Sequence, residues 1–224
     1  LKVLRSLRPI GAADVATHSV AGQYTAGAID GVAVPGYAEE LGRASRTETF
    51  VALRAHVDNW RWSGVPFYLR TGKRMARRST EIYIEFRAVP HSIFARGGAR
   101  AEPNALVIRL QPEERIELML MHKTPGLDRD GLRLSQVALD LDIGDAFKST
   151  RRHMAYERIY LDALAGDGTL FVRRDETEAA WQWVDGILAG WRETGMTPKT
   201  YPAGTWGPSS AVALTERHGH SWRE

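Results

Sequence analysis

Apolar and polar residues alternate along five stretches of the chain. Val51, Leu53, Ala55 and Val57 interleave with Ala52, Arg54 and His56, and Ile82, Ile84 and Phe86 with Glu81, Tyr83 and Glu85. Further on, Leu106, Ile108 and Leu110 interleave with Val107, Arg109 and Gln111, and Ile116, Leu118 and Leu120 with Glu117, Met119 and Met121. Val137, Leu139 and Leu141 alternate with Ala138, Asp140 and Asp142. A period of two belongs to a strand that turns one set of side chains to a core and the other away from it. The aliphatic sets are expected to face the core, and the mixed sets to form the outer face. The link from Gln111 to Arg115 is short enough for a hairpin, so this region predicts an antiparallel or mixed sheet.

The period lengthens in the last third. Tyr156, Ile159, Tyr160, Ala163 and Leu164 follow helical spacing up to Gly166. A second helix carries the stripe Ala180, Val184, Ile187, Leu188 and Trp191. Asp175 is the expected cap, with Glu178 in capping-box position, and the helix closes near Gly195. Residues 11–48, small, polar and glycine-rich, predict a long irregular segment, and Pro198–Pro208 an extended tail. The fold class is α+β, a large and mostly antiparallel sheet with helices on one face.

Composition narrows the function. With no cysteine among 224 residues there is no disulfide framework, thiolate metal site or cysteine nucleophile, and a reducing compartment, the cytoplasm, is expected. No run approaches the about 18 uncharged apolar residues of a membrane helix, so no membrane partner is expected. A net charge of +3 is small for this length and points away from nucleic acid. His18, His56, His91, His122 and His153 are scattered, and the pair His218 and His220 lacks a third ligand nearby, so no metal is expected. G-x-S-x-G, HExxH, P-loop and G-x-G-x-x-G motifs are all absent. The abrupt opening at Leu1, without Met or a signal peptide, reads as the start of a fragment.

One block concentrates charge. Residues 59–80 run through an aromatic, apolar strand to a glycine turn at Gly72 and then carry Arg70, Lys73, Arg74, Arg77 and Arg78. Cations displayed from a tight turn at a strand end suit a phosphate dianion, Lys as a compact charge and Arg as a forked donor. A charge run is more often a solvated face, and the pattern alone leaves both readings open.

The same block resembles glucose-6-phosphate dehydrogenases, and the likeness is co-linear over nearly the whole chain. It rests on Gly22-Gln23-Tyr24 with Gly27, Thr47-Glu48-Thr49-Phe50, Asp58-Asn59-Trp60-Arg61-Trp62 and the stretch from Gly64 to Arg74. Val107-Ile108-Arg109-Leu110-Gln111-Pro112, Ala155-Tyr156-Glu157-Arg158 and Tyr201-Pro202-Ala203-Gly204-Thr205-Trp206-Gly207-Pro208 extend it. The resemblance implies that residues 1–224 are the C-terminal β+α domain, with the N-terminal nucleotide-binding domain absent. In the family, hydride passes from C1 of glucose 6-phosphate to NADP or NAD, giving the 6-phosphogluconolactone at the start of the pentose phosphate pathway.

The family's catalytic histidine, its Asp partner and the His-Tyr-Leu-Gly-Lys motif lie upstream and have no match here, so no residue of this chain is expected to be the base. The resemblance implies that Lys73 and Arg78 meet the sugar phosphate and that Gln111 meets sugar hydroxyls. Arg70 and Arg109 match cations of a second, structural nucleotide site, and Asp140 an acidic residue there. Lysines expected near 79 and 119 are Ser79 and Met119, which argues against that site. A homodimer or dimer of dimers through the sheet is implied as well, with Met119 and Met121 on the contacting face. The other class left open is a stand-alone, non-catalytic sugar-phosphate-binding or structural module.

Overall fold

The computed structural model describes residues 1–89, 102–125, 134–147, 149 and 155–223. In chain order the strands are β1 (Ser19–Thr25), β2 (Gly27–Ile29), β3 (Val32–Val34), β4 (Phe50–His56), β5 (Pro66–Gly72), β6 (Thr80–Glu85), β7 (Ala105–Gln111), β8 (Arg115–Lys123), β9 (Leu134–Asp142) and β10 (Lys199–Pro202). The helices are α1 (Lys2–Arg5), α2 (Val15–His18), α3 (Tyr37–Leu41), α4 (Ile143–Ala146), α5 (Ala155–Ala165), α6 (Arg174–Glu193) and α7 (Ser209–Glu216). Two units emerge, one from Leu1–Arg77 with Tyr156–Glu224 and one from Arg78–Ala155. The α+β class and the antiparallel pairing hold. The strands are shared between two four-stranded sheets and the ribbon β2–β3.

The first unit is built on the sheet β10-β1-β4-β5, antiparallel except where β1 meets β10. On one face Tyr24, Phe50, Ala52 and Tyr201 pack with Ala211 and Leu214 of α7. On the other, Ala21 and Leu53 pack with Ile10, Val15 and, from α6, Ile187 and Trp191. Buried on both faces, β1 shows no alternation. That corrects the expectation of an irregular segment over residues 11–48, which holds α2, β1, β2, β3 and α3. Its glycines mark close packing: a Cβ on Gly22 would lie 3.1 Å from Phe50 and 3.3 Å from Pro208.

The cap of α6 is also corrected. Arg173 precedes the helix, and its backbone N–H donates to the Glu176 carboxylate at 3.3 Å. Asp175 instead pairs with the Arg173 guanidinium. Gly195 closes the helix in the left-handed region at φ +66°.

In the second unit the sheet β6-β7-β8-β9 is antiparallel throughout. Register lines up Ile82, Ile108, Ile116 and Leu141 on one face, with Ile84, Leu106, Leu118 and Leu139 in the next row. These aliphatic rows are largely open: Leu139 is 60% and Ile82 49% exposed. On the mixed face Ala105 and Val107 are each 1% exposed, and Glu117 is buried. The expected assignment of core and outer face is thus reversed. Alternation separates two faces but does not say which one is covered.

Candidate functional site

Strand β5 ends at Gly72, and Lys73 follows with its side chain exposed. Two of the other quoted motifs hold its backbone. The Lys73 N–H donates to the Thr49 carbonyl at 2.8 Å, and the Lys73 carbonyl accepts from the Tyr201 hydroxyl at 2.7 Å. Gly72 must be glycine, because a Cβ there would sit 2.8 Å from the Phe50 ring and 3.0 Å from Met75 Sδ. Arg74 takes the left-handed conformation at φ +52°, and its carbonyl accepts from the Gly204 N–H at 2.8 Å. Gly204, at φ +86°, has no room for a Cβ, which would lie 1.9 Å from the Ala28 carbonyl oxygen.

The Arg74 guanidinium turns away from Lys73's role and donates to Glu40 Oε1 at 2.6 Å, while Glu40 Oε2 accepts from the Tyr24 hydroxyl at 2.5 Å. The Tyr24 hydroxyl and then Arg74 hold the Glu40 carboxyl below its usual range. Burial, followed by the Glu40 bond, pushes the Tyr24 phenol up. One cation of the basic block is therefore neutralised within the protein, and Lys73 is displayed from a turn whose backbone is hydrogen-bonded on both sides of it.

Arg70 is placed differently. Its guanidinium lies between two indoles, 4.8 Å from the Trp206 ring centre and 4.7 Å from that of Trp222, and donates to the Arg223 carbonyl at 3.1 Å. Arg77 approaches Trp206 at 5.4 Å. The Trp222 indole N–H donates to the Ala211 carbonyl at 2.7 Å, and His220 Nδ1 lies 3.2 Å from the Tyr68 hydroxyl. The chain's end thus folds back across β5 and covers the residue that the resemblance assigns to a structural nucleotide. With Ser79 and Met119 where lysines are expected, these residues do not fit that second nucleotide.

In the second unit Arg78 and Gln111 are both exposed. Arg109 reaches Glu81 at 3.9 Å and Glu117 at 3.7 Å on the mixed face. Thr80 pairs with Gln111 and Glu81 with Arg109, so the register slips by one residue at Leu110. The expectation that Arg109 and Gln111 share a face rested on unbroken alternation, and the bulge interrupts it there. Asp140 is taken by Arg115 at 3.1 Å, and Arg115 also holds Asp142 at 3.2 Å. Asp140 first, then the Asp142 bond, raise the Arg115 guanidinium above its ordinary value.

The histidines make no catalytic constellation among the described residues. His18 and His56 meet edge to face at 6.1 Å. Burial, with Arg54 next, holds His56 below its ordinary value, and the same two causes act in that order on His218. His91 and His153 lie outside the described residues. Among the described residues no group of three or more His, Asp or Glu side chains is placed to hold a metal ion, and no helix is long and apolar enough to cross a membrane. Sequence reasoning passed over Thr49, Tyr201 and Glu40, which lie far from Lys73 in sequence. Only their membership of the quoted motifs, for Thr49 and Tyr201, could have drawn attention to them.

An α+β framework that presents a backbone-fixed lysine from a strand end defines a candidate binding domain for a phosphorylated small molecule. The model of the family described as "Glucose-6-phosphate dehydrogenase, C-terminal domain" matches residues 1–223, and the chain belongs to that family. It is 57% identical over 222 residues to the glucose-6-phosphate 1-dehydrogenase of Zymomonas mobilis, covering 99% of this chain and 46% of that protein. Against the Rhizobium meliloti enzyme of the same name it is 55% identical over 225 residues, covering 100% and 45%. A solved structure described as glucose-6-phosphate dehydrogenase in complex with its substrate glucose-6-phosphate superposes with a TM-score of 0.83 at 34% identity, over 100% of this chain and 44% of that one. The Mycobacterium avium glucose-6-phosphate 1-dehydrogenase gives 0.75 at 32% identity, over 100% and 43%. The chain spans about half the length of the relatives it matches.

Proposed function

We propose that this chain is the sugar-phosphate-binding and dimerisation part of a cytoplasmic glucose-6-phosphate dehydrogenase. The full-length enzyme oxidises glucose 6-phosphate to 6-phosphogluconolactone with NADP. Lys73 meets the 6-phosphate, Arg78 supplies a second cation, and Gln111 meets sugar hydroxyls. The observation that carries the reading is the Lys73 turn, where an exposed ammonium sits on a backbone bonded at both its N–H and its carbonyl. A lysine so held meets a phosphate with little further ordering of its main chain. NADP belongs mainly to residues outside these 224, which contain no glycine-rich nucleotide loop. The base that takes the C1 proton lies outside them too.

The dimer is assigned to the sheet of the second unit, with the contact on the aliphatic face instead of the face of Met119 and Met121 expected from the sequence. A sheet face carrying Leu139 at 60% and Leu141 at 50% exposure is better covered by a second copy than by water. The absence of cysteine fits a reducing cytoplasm.

The test is Lys73→Ala in the full-length dehydrogenase. A charge-assisted contact is worth about 1.5–3 kcal/mol, so KM for glucose 6-phosphate should rise about 10- to 150-fold. Turnover of unphosphorylated glucose, measured alongside, should not change. An unchanged KM for the phosphorylated sugar refutes the assignment and leaves Lys73 a solvated surface cation.

A further inference from the structure

We propose that Tyr201 is a positioning residue for the sugar phosphate, acting through the Lys73 carbonyl to fix where the Lys73 ammonium can reach. The inference rests on the reading of Lys73 as the phosphate ligand. Tyr201 is 1% exposed and belongs to the aromatic core of the first unit, 5.4 Å from the Phe50 ring centre and 6.4 Å from that of Tyr24. A core tyrosine needs a partner for its hydroxyl, and several backbone groups could serve. Here the short bond, 2.7 Å, goes to the carbonyl of an exposed lysine 128 residues earlier in the chain. A phenol has one proton to give, so the bonds at 3.3 Å to the Thr49 carbonyl and at 3.3 Å to Thr49 Oγ1 are secondary.

Thr49 closes the arrangement from the other side. Its carbonyl accepts the Lys73 N–H at 2.8 Å, its own N–H donates to the Gly22 carbonyl at 2.8 Å, and its hydroxyl accepts from the Tyr24 N–H at 3.1 Å. The peptide groups on both sides of the Lys73 Cα are therefore tied, one to half-buried Thr49 and the other to buried Tyr201, while the side chain between them is exposed. Core packing alone would not require this. Phenylalanine at 201 would fill the same space, and the hydroxyl adds the short bond to the turn and the two longer contacts with Thr49. Because burial raises the Tyr201 phenol, the hydroxyl keeps its proton and remains a donor through the neutral range.

The experiment is Tyr201→Phe in the full-length dehydrogenase, with KM for glucose 6-phosphate, KM for NADP, kcat and thermal stability all measured. Loss of one intramolecular hydrogen bond predicts a rise of about 2- to 12-fold in KM for glucose 6-phosphate, with kcat and KM for NADP unchanged. In a Lys73→Ala background the same substitution should add nothing, since the hydroxyl works through that lysine. An unchanged KM overturns the proposal, as does an equal effect in both backgrounds, or a parallel loss of both KM values and kcat with stability. If Lys73→Ala itself leaves KM unaltered, the reading of Lys73 fails, which is distinguishable from an effect of Lys73→Ala without one of Tyr201→Phe. Should Tyr201→Phe not fold, replacing Tyr201 by 3-fluorotyrosine gives a second measure. It keeps the ring and the hydroxyl but gives up its proton at a lower pH, so the alkaline rise in KM for glucose 6-phosphate should begin at a lower pH than in the wild type, and an unshifted KM profile overturns the proposal.

Discussion

Removing the Trp222 indole should loosen the end of the chain from β5 by a measurable amount. The ring stacks on Arg70 at 4.7 Å, meets Tyr68 edge to face at 6.0 Å and donates its N–H to the Ala211 carbonyl at 2.7 Å. A partly exposed cation–π contact is worth about 0.5–1 kcal/mol, an aromatic pair about 0.5–1.5 kcal/mol and a hydrogen bond about 0.5–1.5 kcal/mol. Together they place Trp222→Ala at about 1.5–4 kcal/mol, a loss of about 3–16 °C in Tm for a chain of this size. Trp222→Phe, which keeps a ring but not the N–H, should lose only the hydrogen-bond share. Thermal unfolding of the 224-residue chain reads both. Trp206 and Trp222 both engage the Arg70 guanidinium, so NADP added to the chain should leave Tm unchanged. A Trp222→Ala variant within 1 °C of wild type, or a Tm that climbs with NADP, would refute the reasoning.

Other outcomes follow from the same geometry. The 224-residue chain alone should produce no NADPH from glucose 6-phosphate, since no residue here is assigned as base or nucleotide loop; turnover by the pure chain defeats that. Leu139→Glu, in the middle of the open aliphatic face, should convert dimers to monomers in sedimentation, and a wild-type chain already monomeric at micromolar concentration rules the interface out. The Glu40 carboxyl is depressed in the folded state, so its contribution is present above the ordinary value of about 4.3 and is lost as pH falls below it. Glu40→Gln should flatten the fall in Tm between about pH 5 and 3. His56 is depressed as well, so its stabilising neutral form is lost as pH falls below its ordinary value of about 6.5, and His56→Gln should remove that earlier step.

The strands of the second unit were legible because each has one aliphatic and one mixed side, and β6 to β9 follow the alternation closely. Which side is covered was not legible, since Val107 and Leu139 are equally apolar and only the surroundings separate 1% from 60% exposure. Strand β1 was missed for the opposite reason. Buried on both faces, with Gly22 fitted against Phe50, it has no periodicity to read. The cation turn could be read locally from Gly72, Lys73 and Arg74, but its supports could not. Thr49, Glu40 and Tyr201 reach it through tertiary hydrogen bonds that leave no spacing signal. Arg70 shows the limit of reading charge as function, because two tryptophans near the chain's end engage it internally.

Strand β1 lies between β4 and β10, and β10 comes from residues 199–202, near the far end of the chain. During synthesis residues 19–25 leave the ribosome long before their parallel partner exists. The whole second unit, residues 78–155, is made in the interval. Its strands pair with near neighbours and close quickly, whereas the first sheet waits with one edge of β1 unpaired. An unpaired edge in a nascent chain is a place where other chains can add. The interval ends only when Lys199–Pro202 docks, and the same event delivers the Tyr201 hydroxyl to the Lys73 carbonyl. The turn that displays the lysine is therefore completed only after the second unit has been made, so a nascent chain stalled before residue 199 carries every cation of the basic block without the Tyr201 bond to Lys73.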